Sequence, residues 1–104
     1  MKNTLSYDDV LLVPQYSDIK SRSEVSLVSD LGNNLKLDMP IFSSPMDTIS
    51  ESSMAISMSE YGGAAIIHRY NTVQEQVKMV GLAHSISRIS NIGAAVGISD
   101  DFLL

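Results

Sequence analysis

A chain of 104 residues, 44% of them hydrophobic and none of them cysteine, can bury one modest core but cannot carry a disulfide framework, a thiolate metal site or a thiol nucleophile. Its formal charge of −5, from 7 Lys and Arg against 12 Asp and Glu, comes without a basic run; this argues against nucleic-acid or anionic-membrane partners and leaves phosphate binding by backbone amides open. The first residues lack the apolar core of a signal peptide and no apolar run approaches spanning length, so a cytoplasmic location is the expectation.

Residues 5–14 hold the apolar cluster Val10-Leu-Leu-Val13, preceded by Asp8 and Asp9 and stopped by Pro14. Proline biases Val13 toward extended geometry, so this stretch reads as an extended arm whose apolar side chains lie on something, with the two acids as a cap or a solvated face. Residues 15–22 are polar and loop-like. Val25 and Leu27 then alternate with polar neighbours, Gly32-Asn33-Asn34 signals a turn, and residues 35–37 alternate again, which predicts an antiparallel hairpin. Residues 1–38 therefore form an arm and a hairpin.

From residue 39 the pattern changes to strand, helix, strand, helix, strand. Ile41 and Phe42 fit a short buried strand, with Ser43, Ser44 and Asp47 clustered at its C-terminal end. Thr48 and Glu51 stand at capping-box spacing, opening a helix over 50–61 with Met54, Ala55, Met58 and Tyr61 on one stripe and a stop at Gly62-Gly63. Residues 64–67 form an apolar strand ending in His68, Arg69 and Tyr70. Thr72 and Glu75 repeat the capping-box spacing ahead of a second helix with Val73, Val77, Val80 and His84 on one face.

A third apolar strand over 92–96 follows, and Asp100 and Asp101 begin a further helix. Strands starting near residues 40, 64 and 91 are spaced as successive βα units of one parallel sheet, with residues 39–104 making up those units. A doubly wound sheet shows the same alternation, but no G-x-G-x-x-G follows a strand; Gly93 and Gly97 have the wrong spacing. His68 and His84, with no cysteine to join them, give no zinc spacing, so no protein-built metal site is expected.

Ser43-Ser-Pro-Met-Asp-Thr48, with Tyr7-Asp-Asp-Val-Leu-Leu-Val-Pro14 upstream and Gly62-Gly63 and Ile67-His68 downstream, resembles the N-terminal part of the IMP dehydrogenase/GMP reductase family. The resemblance implies an α/β fold, the N-terminal part of a TIM (β/α)8 barrel with about three parallel strands preceded by the arm and the β-hairpin. A complete barrel takes about 250 residues, so a fragment or truncated product is expected. It further implies a purine nucleoside monophosphate (IMP or GMP) as substrate, NAD or NADP as cofactor, and a homo-oligomer, a tetramer in the resembled family. The nucleophilic cysteine of that family lies later in the barrel. This chain alone is accordingly expected to be inactive.

Residue by residue, the resemblance carries substrate contact to Ser44 and Met46, whose hydroxyl and polarizable thioether suit ribose or phosphate and a purine face. Without the flanking motif they read as a turn hydroxyl and a core methionine. Ser21 and Arg22 match a pair that reaches the cofactor from a neighbouring subunit in the reductases, and His68 and Arg69 match positions near nucleotide and cofactor. As a residue on its own, His68 reads equally as a hydrogen-bonded structural histidine. Arg69 stands where reductases carry Lys; it keeps its charge and a phosphate-matching fork but cannot deliver a proton as a lysine of lowered pKa can.

The branch is divided. The Ser43–Glu51 stretch and Gly62-Gly63 are similar to the dehydrogenases, which make XMP from IMP. Ser21-Arg22, and a link over 85–91 too short for the regulatory CBS module, are similar to the reductases, which make IMP and ammonia from GMP. The reading leans to a reductase-like arrangement, with a compact IMP dehydrogenase as the alternative. A non-catalytic interaction piece, whose open sheet edges pair with another chain, is the third.

Overall fold

The computed structural model describes residues 4–87 and 91–98. Three short apolar runs pair as a parallel sheet in the order β3-β4-β5: β3 (Phe42–Ser43), β4 (Ala64–Ile67) and β5 (Ile92–Ala94). Phe42 lies opposite Ala64, and Ile66 opposite Gly93. The crossovers are α1 (Ser52–Glu60) and α2 (Val73–Ile86), so the parallel α/β alternation read from the sequence is present. Before the sheet, β1 (Ser29–Asp30) and β2 (Lys36–Leu37) form an antiparallel pair.

The core sits on one face of β4. Ala65 and Ile67 meet Ala55 of α1 and Ala83 of α2, with Ile56, Met58, Met79 and Val80 packed around them. Three alanines among the four buried members of this cluster let both helices lie close to the strand, a small-residue solution that one added methylene would disturb. On the other face, Ala64, Ile66 and Phe42 border a cavity of about 160 Å³ that Leu35 of the hairpin also lines.

The junction under the sheet explains both glycines of the pair. After α1, the Gly62 amide donates to the Ser59 carbonyl at 3.0 Å and the Gly63 amide to the Met58 carbonyl at 2.8 Å, a Schellman stop with Gly62 at φ +78°. A Cβ on Gly62 would stand 2.7 Å from the Asp38 Cβ, and one on Gly63 would stand 2.9 Å from the Ile41 carbonyl oxygen. The Gly62 carbonyl then accepts from the amides of Asp38 and Met39, which fastens the end of the hairpin to the end of the helix. Asn91 Nδ2 adds a bond to the Lys36 carbonyl at 2.9 Å.

Several expectations are corrected. The hairpin is only two residues deep, because residues 22–24 turn in a 3-10 helix and leave Val25 and Leu27 outside the ladder. Pairing begins next to the turn, where Gly32, Asn33 and Asn34 all take positive φ. Thr48 and Glu51 form no capping box: Thr48 sits at φ 60°, Glu51 is itself the N-cap, and no side chain caps α1. On α1 the buried positions are Ala55 and Ser59, while Tyr61 is 76% exposed. On α2 the buried position is Ala83, and contact with α1 and β4 turns Val77 and His84 outward; Val77 and Val80 border an open apolar pocket beside Ala94.

Ile41 and Phe42 are about half exposed, since β3 pairs on one side only, and the third strand stops at Ala94, short of residue 96. Among the described residues nothing covers the tip of the arm: Leu11 and Leu12 are 95% and 97% exposed. With the arm projecting, the radius of gyration is 17.6 Å, against about 13 Å for a compact domain of this length. Asp9 does act as a cap, accepting from the Ser6 amide at 2.8 Å. The helix expected from Asp100 and Asp101 lies outside the described residues.

Candidate functional site

Parallel strands all end at the same side of their sheet, so the loops after β3 and β4 are neighbours. The first loop is built on Ser50, which is fully buried. Its hydroxyl donates to the Ser44 carbonyl, so in the 2.6 Å contact with Ser43 the Ser43 hydroxyl is the donor. The amides of Ile49 and Ser50 both donate to the Met46 carbonyl, and Thr48 takes its left-handed conformation between them. For a β-branched residue that conformation stores on the order of 1–3 kcal/mol, held by the bonds on either side. The side chains of Ser44 and Met46 are left facing solvent, Met46 being 51% exposed.

Ser50 also joins the two loops, because its carbonyl accepts from the His68 amide at 3.2 Å. His68 is 2% exposed and its carbonyl accepts from Gln76 Nε2 at 3.0 Å; the same Gln76 nitrogen donates to the Ala95 carbonyl at 2.8 Å, bracing the ends of β4 and β5 together. The imidazole is held at both nitrogens. Nδ1 accepts from the Tyr70 amide at 3.1 Å, and Nε2 faces Glu51 Oε1 at 3.5 Å and Asp47 Oδ1 at 3.9 Å. The Tyr70 ring stacks at 6.3 Å from the imidazole and carries the Arg69 guanidinium over its face, 5.5 Å from the centroid.

Between these loops and α2 lies an open pocket of about 430 Å³, lined by Asp47, Glu51, His68 and Tyr70 and, from α2, by Glu75 and Lys78. The Thr72 amide, and secondarily its hydroxyl, holds the Glu75 carboxyl below its ordinary range, so Glu75 remains an anion at the head of α2. Among the described residues, no group of three or more His, Cys, Asp or Glu converges as a metal site.

Ser44, Met46, His68 and Arg69 thus share one end of the sheet. Ser21 and Arg22 do not join them: both are exposed in the arm, where the Ser21 hydroxyl accepts from the Ser23 amide, and among the described residues no hydrogen bond or ion pair links them to the rim. The residues that organise the site, Ser50 and Gln76, escaped sequence reasoning. Serine and glutamine at these positions read as solvated polar residues, and nothing in their spacing marks them as bridges.

The family model described as IMP dehydrogenase / GMP reductase domain matches residues 4–103. An inosine-5'-monophosphate dehydrogenase of Nitrosopumilus maritimus is 42% identical over 111 residues, covering 96% of this chain and 23% of that protein. A GMP reductase of Leishmania donovani is 45% identical over 76 residues, covering 73% of this chain and 15% of that protein. The crystal structure of a Trypanosoma brucei GMP reductase in complex with guanosine 5'-triphosphate superposes with a TM-score of 0.68 at 44% identity, covering 77% of this chain and 19% of that one. The chain spans about a fifth of the length of these relatives.

Proposed function

This chain belongs to the IMP dehydrogenase/GMP reductase family, and from that premise we propose that it supplies the first βα units of a TIM (β/α)8 barrel in a purine-nucleotide oxidoreductase. The observation that carries the proposal is the joining of the Ser44–Met46 loop to the His68–Tyr70 loop at one end of a parallel sheet, through Ser50. In this reading the Ser44 hydroxyl and the Met46 thioether hold a purine nucleoside monophosphate at the barrel mouth.

The residues present suit a nicotinamide dinucleotide at the same rim. Arg69, held over the largely exposed Tyr70 ring, offers a permanent cation with a fork that matches a diphosphate. Bound there, NAD or NADP supplies or accepts hydride; the chain's own residues bind and orient. Ser21 and Arg22, on an arm that leaves its own chain, reach the cofactor of a neighbouring copy in a homo-oligomer, a tetramer by family likeness. With no cysteine in its sequence, this chain does not bring the thiol nucleophile to the reaction.

The reductase direction, GMP to IMP and ammonia, is the reading preferred, on Ser21-Arg22 and the short link over 85–91. The dehydrogenase direction is kept because the Nitrosopumilus enzyme aligns over nearly the whole chain. The test is an assay of GMP reduction against IMP oxidation by the complete polypeptide carrying this chain, native and with Ser44→Ala, Met46→Ala or Arg69→Ala. The expected result is that the first two raise the nucleotide KM and the third the cofactor KM, each by about tenfold or more, the worth of one good contact. Unchanged constants in all three variants would refute the assignment.

A further inference from the structure

His68 is a fully buried imidazole, and its two nitrogens are given to two different loops. The Tyr70 amide is a donor, so Nδ1, at 3.1 Å from it, is the unprotonated acceptor. A neutral His68 therefore carries its hydrogen on Nε2, directed at the carboxylates of Glu51 and Asp47. Those contacts, at 3.5 and 3.9 Å, are too long for strong hydrogen bonds and act through charge. A second proton must go to Nδ1, where it would set N–H against N–H. Protonation thus exchanges the tie to Tyr70 for a stronger tie to Glu51 and Asp47.

We propose that His68 is a positioning residue: in its neutral Nε2–H form it latches the Arg69–Tyr70 loop to the Ser44–Met46 loop, and on protonation it releases the Tyr70 side of that latch. The charged groups around it come from every packed element: Asp47 and Glu51 from the first loop, Glu75 and Lys78 from α2 across the shared pocket, and Arg69 over the Tyr70 ring. The first loop is anionic and draws the imidazolium toward itself. Arg69 rides on Tyr70, so release of the Tyr70 amide moves the cation assigned above to the cofactor. That functional consequence rests on the proposed reading of the rim, whereas the latch itself does not.

These 104 residues hold two histidines, and His84 is exposed, so nitrogen-15 imidazole spectra with His84→Asn as the assignment control follow His68. The expected result is an Nε2–H tautomer in the neutral imidazole, with the Tyr70 amide resonance moving in step with the His68 ring nitrogens as the imidazole takes up its second proton. In His68→Asn, whose side-chain oxygen replaces Nδ1 as acceptor, the Tyr70 amide should keep its neutral-pH position and lose its pH dependence. In His68→Leu it should be displaced at every pH. An Nδ1–H tautomer, or a Tyr70 amide indifferent to His68 titration in the native chain, would overturn the proposal without recourse to any variant.

In the complete polypeptide the cofactor KM should rise by up to about tenfold as His68 is protonated, the worth of one hydrogen bond, and stay flat with pH in His68→Asn. If Tyr70 follows His68 while the cofactor KM does not, the latch stands and the cofactor assignment of Arg69 fails.

Discussion

Replacing Ser50 by alanine is the sharpest test of how the rim is built. The substitution removes one hydroxyl from a site with no exposed surface and deletes two bonds at once, the donation to the Ser44 carbonyl and the acceptance from the Ser43 hydroxyl. Each such bond has a net worth of about 0.5–1.5 kcal/mol. Ser44 is exposed and can rehydrate its carbonyl, whereas Ser43 is half buried and cannot do so fully. The sum is about 1–3 kcal/mol. Read by urea denaturation, the midpoint should fall with an unchanged slope, and Tm should drop by roughly 4–8 °C per kcal/mol for a domain of this size. Ser53→Ala, at an exposed position in the first turn of α1, is the control and should stay within about 0.5 kcal/mol of native. A Ser50→Ala protein as stable as that control, with Ser44 and Met46 amide resonances unmoved, would show that the Ser50 hydroxyl does not hold the loop.

The two glycines on helices and helix ends should respond in opposite directions. Gly62→Ala forces a side chain into a left-handed position against Asp38 and should cost on the order of 1–3 kcal/mol; Gly81→Ala, with nothing within 4 Å of the new methyl on α2, should stabilise by about 0.5–1 kcal/mol, both read by thermal unfolding. The Glu75 carboxyl, held low by Thr72, contributes stability that is in place above the ordinary glutamate range and is lost as pH falls through its lowered value. The first turn of α2 should therefore survive mild acid and fray only below the usual carboxylate range, and Glu75→Gln should remove that acid step in an amide-resolved pH titration. Asp9, held low by the Ser6 amide and then its hydroxyl, should give the arm turn the same dependence.

The parallel alternation was legible because each strand is a short apolar run bounded by turn chemistry, and because Thr72 and Glu75 cap α2 as their spacing predicts. The same spacing at Thr48 and Glu51 misled. There the chain makes an extra turn around the Met46 carbonyl before α1 begins, and spacing along a chain carries no record of a turn held by a buried serine. Helix faces were legible only in part: Ala55, Met58 and Val80 lie on the core as their stripes predict, whereas Tyr61, Val77 and His84 do not. A stripe of Val73, Val77 and Val80 shows that a helix has an apolar side, but the close approach of Ala83 to Ala55 and Ile67 decides which side meets this sheet. Ser44, Met46, His68 and Arg69 could be placed at one rim because each follows a strand end. Among the described residues the arm carrying Ser21 and Arg22 stays exposed, so no burial pattern in the sequence fixes its place.

A crystal structure of the complete polypeptide with bound GMP would show whether the loop after β3 is the nucleotide site proposed above. The nucleotide should lie at the C-terminal ends of β3 and β4, with the Ser44 hydroxyl within hydrogen-bond distance and the Met46 thioether in contact. A nucleotide bound without touching residues 43–47 would contradict it.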